Sequence, residues 1–203
     1  MERDITLPTT HNLVREFRAG DILYISGTIF TARDAAHHLL MKRQNEEKEI
    51  PFDIRQMPLY HCGPLVRRKE SGWQIIAAGP TTSMRMEPFE SQFISLFSTT
   101  IIIGKGGMGE KTLASLQEVG AVYAHYAGGA GALAARAVTQ VVDVYWLDEL
   151  GMPEAVWILD VERFGPLIIA MDSHGESLYH ALDRTVKKNM EWIHRQIDKG
   201  ALQ

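Results

Sequence analysis

Three polar segments of this sequence combine residue types that can bind an anion, and each begins where an apolar run ends. The first is Gly27-Thr28-Ile29-Phe30-Thr31-Ala32-Arg33-Asp34-Ala35-Ala36-His37. Thr31 and Asp34 have the spacing of a helix N-cap, which puts Arg33 in the first helical turn, where a cation opposes the macrodipole and attracts an anion. The plainer reading is an arginine that faces solvent. His37 follows Arg33 by four residues and shares its helical face. The second segment is Ala77-Ala78-Gly79-Pro80-Thr81-Thr82-Ser83-Met84-Arg85-Met86. A guanidinium offers a planar fork to a carboxylate, and Thr81, Thr82 and Ser83 add single donors, so the set suits carboxylate binding. Met84 and Met86 bracket Arg85, so that cation leaves an apolar surface.

The third segment, Ile101-Ile102-Ile103-Gly104-Lys105-Gly106-Gly107-Met108-Gly109-Glu110-Lys111-Thr112, reads as a strand, a glycine-rich loop and a helix start. Such loops let backbone N–H groups approach a phosphate. Here Glu110 separates Gly109 from Lys111, which breaks the Gly-Lys-Thr ending of a phosphate loop and brings a negative charge into the cradle. A second glycine cluster, Gly128-Gly129-Ala130-Gly131-Ala132, also joins a strand to a helix. The histidines have no i, i+4 metal-binding pair: His37 and His38 are adjacent, and His61, His125 and His174 are scattered, so no metal site is expected on this chain. Asp172-Ser173-His174 names the members of a hydrolase triad, but triads converge from distant segments rather than from neighbours on a strand end.

The elements that position these loops alternate along the chain. Strands are expected at 21–26, 59–62, 73–78, 99–103, 121–126, 141–146, 156–161 and 167–171, most of them runs of β-branched or aromatic residues. Helices are expected at 32–47, 88–97, 110–119, 131–139 and 177–197. The last carries Leu178, Leu182, Val186, Met190, Ile193 and Ile197 three or four apart, a stripe expected to pack on the sheet. Strands 156–161 and 167–171 are too close for a crossover and read as a hairpin, so the sheet is mixed. No linker or repeat divides the chain, and residues 1–203 are expected to form one α/β domain.

Composition bounds the function. The chain has 203 residues, 45% hydrophobic and 23% charged, as expected of a folded globular protein. A net charge of -4 without a basic run excludes a general nucleic-acid binder. Cys62 is the single cysteine, so the chain cannot by itself supply the thiolates of an iron–sulfur cluster. The start, Met1-Glu2-Arg3-Asp4-Ile5, lacks a signal-peptide core and no long apolar stretch follows, so neither membrane insertion nor export is expected and the location is read as cytoplasmic.

Taken together, the segments resemble the β subunit of the class I, iron–sulfur-dependent fumarate hydratase and L-tartrate dehydratase family. The resemblance rests on Thr31 to His37, His61-Cys62-Gly63-Pro64-Leu65-Val66, Gly79 to Met86, Gly104 to Met108, Glu149-Leu150-Gly151-Met152-Pro153-Glu154 and Phe164-Gly165-Pro166-Leu167, in that order. It implies a swivelling β/β/α domain. It also implies a cysteine-bearing α subunit that holds a 4Fe-4S cluster, whose unligated iron acts as Lewis acid for the departing hydroxyl, and an assembly that is a dimer of αβ units. The implied reaction is the reversible hydration of a four-carbon dicarboxylate, fumarate to L-malate in the leading reading and L-tartrate dehydration in the alternative. By resemblance Arg33, Thr82, Arg85 and Lys105 bind substrate and Thr81 is the catalytic base. The residues themselves leave a second role open for Thr81, that of a donor to the substrate carboxylate, because an unperturbed hydroxyl is a very weak acid. Two other classes compete: a nucleotide-binding regulatory module built on Gly104 to Thr112, and a dimerisation subunit without chemistry. The latter predicts that Thr81, Arg85 and Lys105 lie far apart.

Overall fold

A computed structural model describes residues 1–198 except Gln56 and Ser71. Residues 199–203, which the single-domain reading included, lie outside the described residues. In chain order the first elements are β1 (Glu2–Thr6), α1 (His11–Val14), β2 (Ile22–Thr31), α2 (Asp34–Asn45), β3 (Leu59–Tyr60), β4 (Leu65–Lys69) and β5 (Gly72–Ala77). A 3-10 turn over Ser83–Arg85 leads into α3 (Glu87–Phe97), followed by β6 (Ile101–Gly104), α4 (Glu110–Val119) and β7 (Val122–Tyr126). The chain continues through α5 (Gly131–Ala137), β8 (Val138–Tyr145), α6 (Leu147–Leu150), β9 (Val156–Met171) and α7 (Leu178–Asp198).

The order β1-β2-β3-β6-β7-β9-β8 makes a seven-stranded mixed sheet, and β2 also pairs antiparallel with β9. That pairing closes β2, β3, β6, β7 and β9 into a barrel, while β4 and β5 form a separate antiparallel pair. The apolar runs are continuous because both strand faces are covered. Ile101 and Ile103 join one core cluster with Trp157, Leu159 and Phe164; Ile102 joins a second with Leu40 of α2, Phe93 and Ile94 of α3, and Leu116 of α4. Alternate side chains thus fill the barrel and seat the helices.

Three expectations need correction. The hairpin at 156–171 is one continuous strand, β9. Glycine and proline at 165–166 punctuate it with a bulge instead of a turn: Ile25 pairs with Phe164 and Leu23 with Leu167, so β2 follows it past the irregularity. Thr31 does not cap α2. It lies in β2, where its Oγ1 accepts from the Trp157 N–H at 3.1 Å, and Arg33 occupies the N-cap position without a side-chain capping bond. The apolar stripe of α7 does not pack on the sheet: Leu182, Val186, Met190, Ile193 and Ile197 are all exposed. The helix is tied down in its first turn, where Tyr179 Oη donates to Gly106 O at 2.6 Å, and then runs on beyond the strands.

Candidate active site

The strand ends bring the second and third polar segments side by side. His61, just after β3, donates its N–H to Ile103 O at 2.8 Å and accepts from the Thr81 N–H at 2.8 Å. Cys62 bridges to Pro80, and Thr82 bridges in parallel to Lys105. Ser83 locks the join, donating its N–H to Lys105 O at 3.0 Å and accepting the Lys105 N–H on Oγ at 3.2 Å. Gly104 is required here by space, since a Cβ on it would stand 1.8 Å from Ser83 Oγ. Thr81, Thr82, Arg85 and Lys105 therefore come together, against the expectation of a subunit without chemistry.

Their side chains differ in availability. Thr81 and Lys105 are half-buried, Thr82 is exposed, and none of the three side chains makes a hydrogen bond or ion pair among the described residues. Arg85 Nη2 donates to Asp34 Oδ2 at 2.7 Å. Arg33 pairs with Glu154 at 3.2 Å, and the same carboxylate accepts the Ala35 N–H at 3.0 Å. The anion expected at the start of α2 is thus supplied by the chain itself, and Glu154 emerges as a site residue from a distant loop. The Asp34–Arg85 contact joins the Arg33 loop to the other two. A surface groove of about 550 Å³, lined by Met84, Glu87, Pro88, Glu110 and Lys111, opens beside them.

Behind these loops lies a group that the sequence reading scattered. His37, His61 and Glu90 are fully buried, with both Nε2 atoms 3.3 Å from Glu90 Oε2. His37 Nδ1 lies 2.8 Å from Arg33 O, which fixes it as the donor, and His61 Nδ1 lies 2.9 Å from Ser83 Oγ. Burial alone would raise the Glu90 carboxyl, but the facing imidazoles of His61 and His37 bring it down to about 2. Burial pushes His61 below the ordinary histidine value despite the opposing Glu90 charge. A sequence signal existed: Glu90 falls on the i, i+3, i+4, i+7 face formed with Phe93, Ile94 and Phe97.

Other candidates dissolve on inspection of their partners. Part of the phosphate-loop donor set at the start of α4 is taken by Glu87, whose carboxylate accepts from the Gly109 N–H at 2.7 Å and from Thr112 Oγ1 at 2.6 Å. Asp172 is a turn residue, accepting the N–H groups of His174, Glu176 and Ala19, while His174 Nε2 meets Arg15 O. Cys62 is fully buried and its thiol is pushed well up by desolvation, which disfavours the thiolate.

A closed mixed barrel with the hydroxyls of Thr81 and Thr82, Lys105 and two ion-paired arginines on adjoining loops is an α/β domain with its polar loops gathered at one set of strand ends. The family profile described as Fumarase C-terminus matches residues 1–182. The chain belongs to this family. It is 44% identical over 177 residues to a protein of Methanocaldococcus jannaschii named putative L(+)-tartrate dehydratase subunit beta, covering 87% of this chain and 91% of that one. It is 39% identical over 178 residues to the L(+)-tartrate dehydratase subunit beta of Escherichia coli, covering 88% and 87%. A putative class I fumarate hydratase of Geobacillus stearothermophilus is 42% identical over 186 residues, covering 90% of this chain and 35% of that longer protein.

Proposed function

We propose that this chain is the β subunit of a hydro-lyase that reversibly adds or removes water on a four-carbon dicarboxylate. The observation that carries the reading is the bridged pair of loops that brings Thr81, Thr82 and Lys105 together, with no partner for their side chains among the described residues. Lys105 and Thr82 then hold one carboxylate, and Arg85, half-exposed on its Asp34 tether, faces the other. Thr81 is assigned the proton abstracted beside that carboxylate, its own hydroxyl proton having first passed to solvent, with the neighbouring cations favouring the alkoxide; hydrogen bonding to the substrate carboxylate is the competing role.

The residues of this chain do not fit an iron–sulfur cluster, because its one cysteine is buried beside Tyr60. We therefore place the 4Fe-4S group of the reading, with its cysteines, on an α partner, in keeping with the subunit beta names of the relatives. The swivelling β/β/α description and a dimer of αβ units belong to the same reading, as does a cytoplasmic location; among the described residues no helix is long and apolar enough to cross a membrane.

Fumarate and L-malate remain the lead substrate pair. L-tartrate is the second reading, favoured because the relatives that match this chain almost end to end carry that name. Anaerobic co-expression with the cysteine-bearing partner, followed by assays on malate, fumarate and L-tartrate, tests the proposal. Turnover of one of these acids by the complex, and none by this chain alone, is expected. A loaded complex inert toward all three overturns it.

A further inference from the structure

The buried group of His37, His61 and Glu90 takes no part in the proposed reaction, and its geometry is that of a ligand set. All three side chains are 0% exposed, and their ligand atoms lie within 4.8 Å of one another. We propose that they bind one divalent cation of the zinc or ferrous class, which ties α2, α3 and the end of β3 together beneath the loops.

The first argument is distance. Donors around a tetrahedral zinc at about 2.0 to 2.2 Å stand about 3.3 to 3.6 Å apart. Both imidazole Nε2 atoms are 3.3 Å from Glu90 Oε2.

The second is unmet bonding. Neither Nε2 and neither Glu90 oxygen makes a hydrogen bond of normal geometry, although all four atoms are buried. Leaving four such atoms unsatisfied is costly, and a shared cation satisfies them at once.

The third is the outer contacts. A ligating histidine is held by its other ring nitrogen. His37 Nδ1 donates to Arg33 O and His61 Nδ1 meets Ser83 Oγ, so both rings present Nε2 inward. Phe89 and Phe93 pack on the His37 ring and keep the group dry.

Two imidazoles and a carboxylate suit zinc or ferrous iron over magnesium or calcium, which prefer oxygen. The rival solution is a proton shared within the group in place of the cation.

The test uses the full chain, refolded from denaturant with a chelator and then with cobalt(II) or zinc. About one equivalent of cobalt is expected to bind with tetrahedral visible absorption, and zinc is expected to raise the melting temperature over chelator. Glu90→Gln and His61→Asn are expected to lose both signals. His180→Ala, which removes a half-buried histidine 3.1 Å from Glu110, is expected to keep them. Should Glu90→Gln fail to fold, the wild-type metal content and melting shift still decide. Folded wild-type chain without stoichiometric metal, or cobalt spectra unchanged in Glu90→Gln or lost in His180→Ala, overturns the site in favour of the proton pair or surface binding.

Discussion

Arg85 Nη2 reaches Asp34 Oδ2 at 2.7 Å across 51 residues, and the residue before that aspartate is Arg33. The contact holds the 3-10 turn against the start of α2 and keeps two guanidiniums from different loops on one side of the barrel.

The Arg85 side chain is half-exposed, so its ion pair contributes under about 1 kcal/mol to folding. Arg85→Ala is expected to shift the melting temperature by less than about 4 °C. In the assembled enzyme it is expected to lower kcat/KM about ten- to a hundredfold, the worth of a charge-assisted bond to a carboxylate. Wild-type kinetics in this variant removes Arg85 from the substrate.

Lys105→Ala separates the cation from its backbone role, because the bridge to Thr82 and Ser83 uses main-chain atoms. Circular dichroism and melting are expected to match wild type, with a similar ten- to a hundredfold loss, roughly, in kcat/KM. An unfolded variant would show that the lysine stem, packed near Gly128, matters for stability instead.

Thr81 distinguishes its two roles by kinetics. As base, Thr81→Ala collapses kcat with a modest change in KM; as a donor only, it mainly raises KM and Thr81→Ser is mild. Collapse is expected. Solvent-proton exchange at the substrate carbon checks it, and exchange at the wild-type rate in the alanine variant reassigns Thr81 to binding.

Gly104→Ala places a methyl group 1.8 Å from Ser83 Oγ in a region where His61 Nδ1 also lies 3.1 Å away. A destabilisation of about 1 to 3 kcal/mol or more is expected by chemical denaturation. Adding Ser83→Ala should restore part of it.

Acid acts on the buried group. His61 has a lowered value in the folded chain, so between the ordinary histidine value near 6.5 and that lower one the unfolded chain binds the extra proton. Stability therefore falls as pH drops below about 6.5. The Glu90 contribution is present above about 4.5 and is lost as pH falls toward about 2. Melting temperatures between pH 7 and 4 are expected to decline less steeply in His61→Asn than in wild type.

How much of this was legible in the sequence depended on range. The Ile101 to Ile103 run and the Glu110 to Val119 helix announce themselves, because burial on both faces and helical periodicity are local properties. β1 was missed because Ile5 is its sole buried residue, so it has no alternation to read. Gly165-Pro166 looked like a turn, since only pairing with β2 reveals a bulge. The polar loops were found by residue type, whereas Glu154, Glu87 and Glu90 were not. Each matters through a partner on another element, with Glu154 meeting Ala35 across 119 residues. The α7 stripe misled because amphipathicity specifies a face to cover and not what covers it.

Glu87 acts on the start of α4 as a ligand that never dissociates. A free phosphate or sulfate ion would have to displace a carboxylate whose local concentration is fixed by the chain, at contacts of 2.7 and 2.6 Å. A negative charge already stands at the helix end that would attract a passing anion. Buffer phosphate should then compete little at that helix end, and under the proposed function discrimination between anions would fall to side chains outside it, with Lys105 and the threonines choosing by shape and spacing instead of by charge alone.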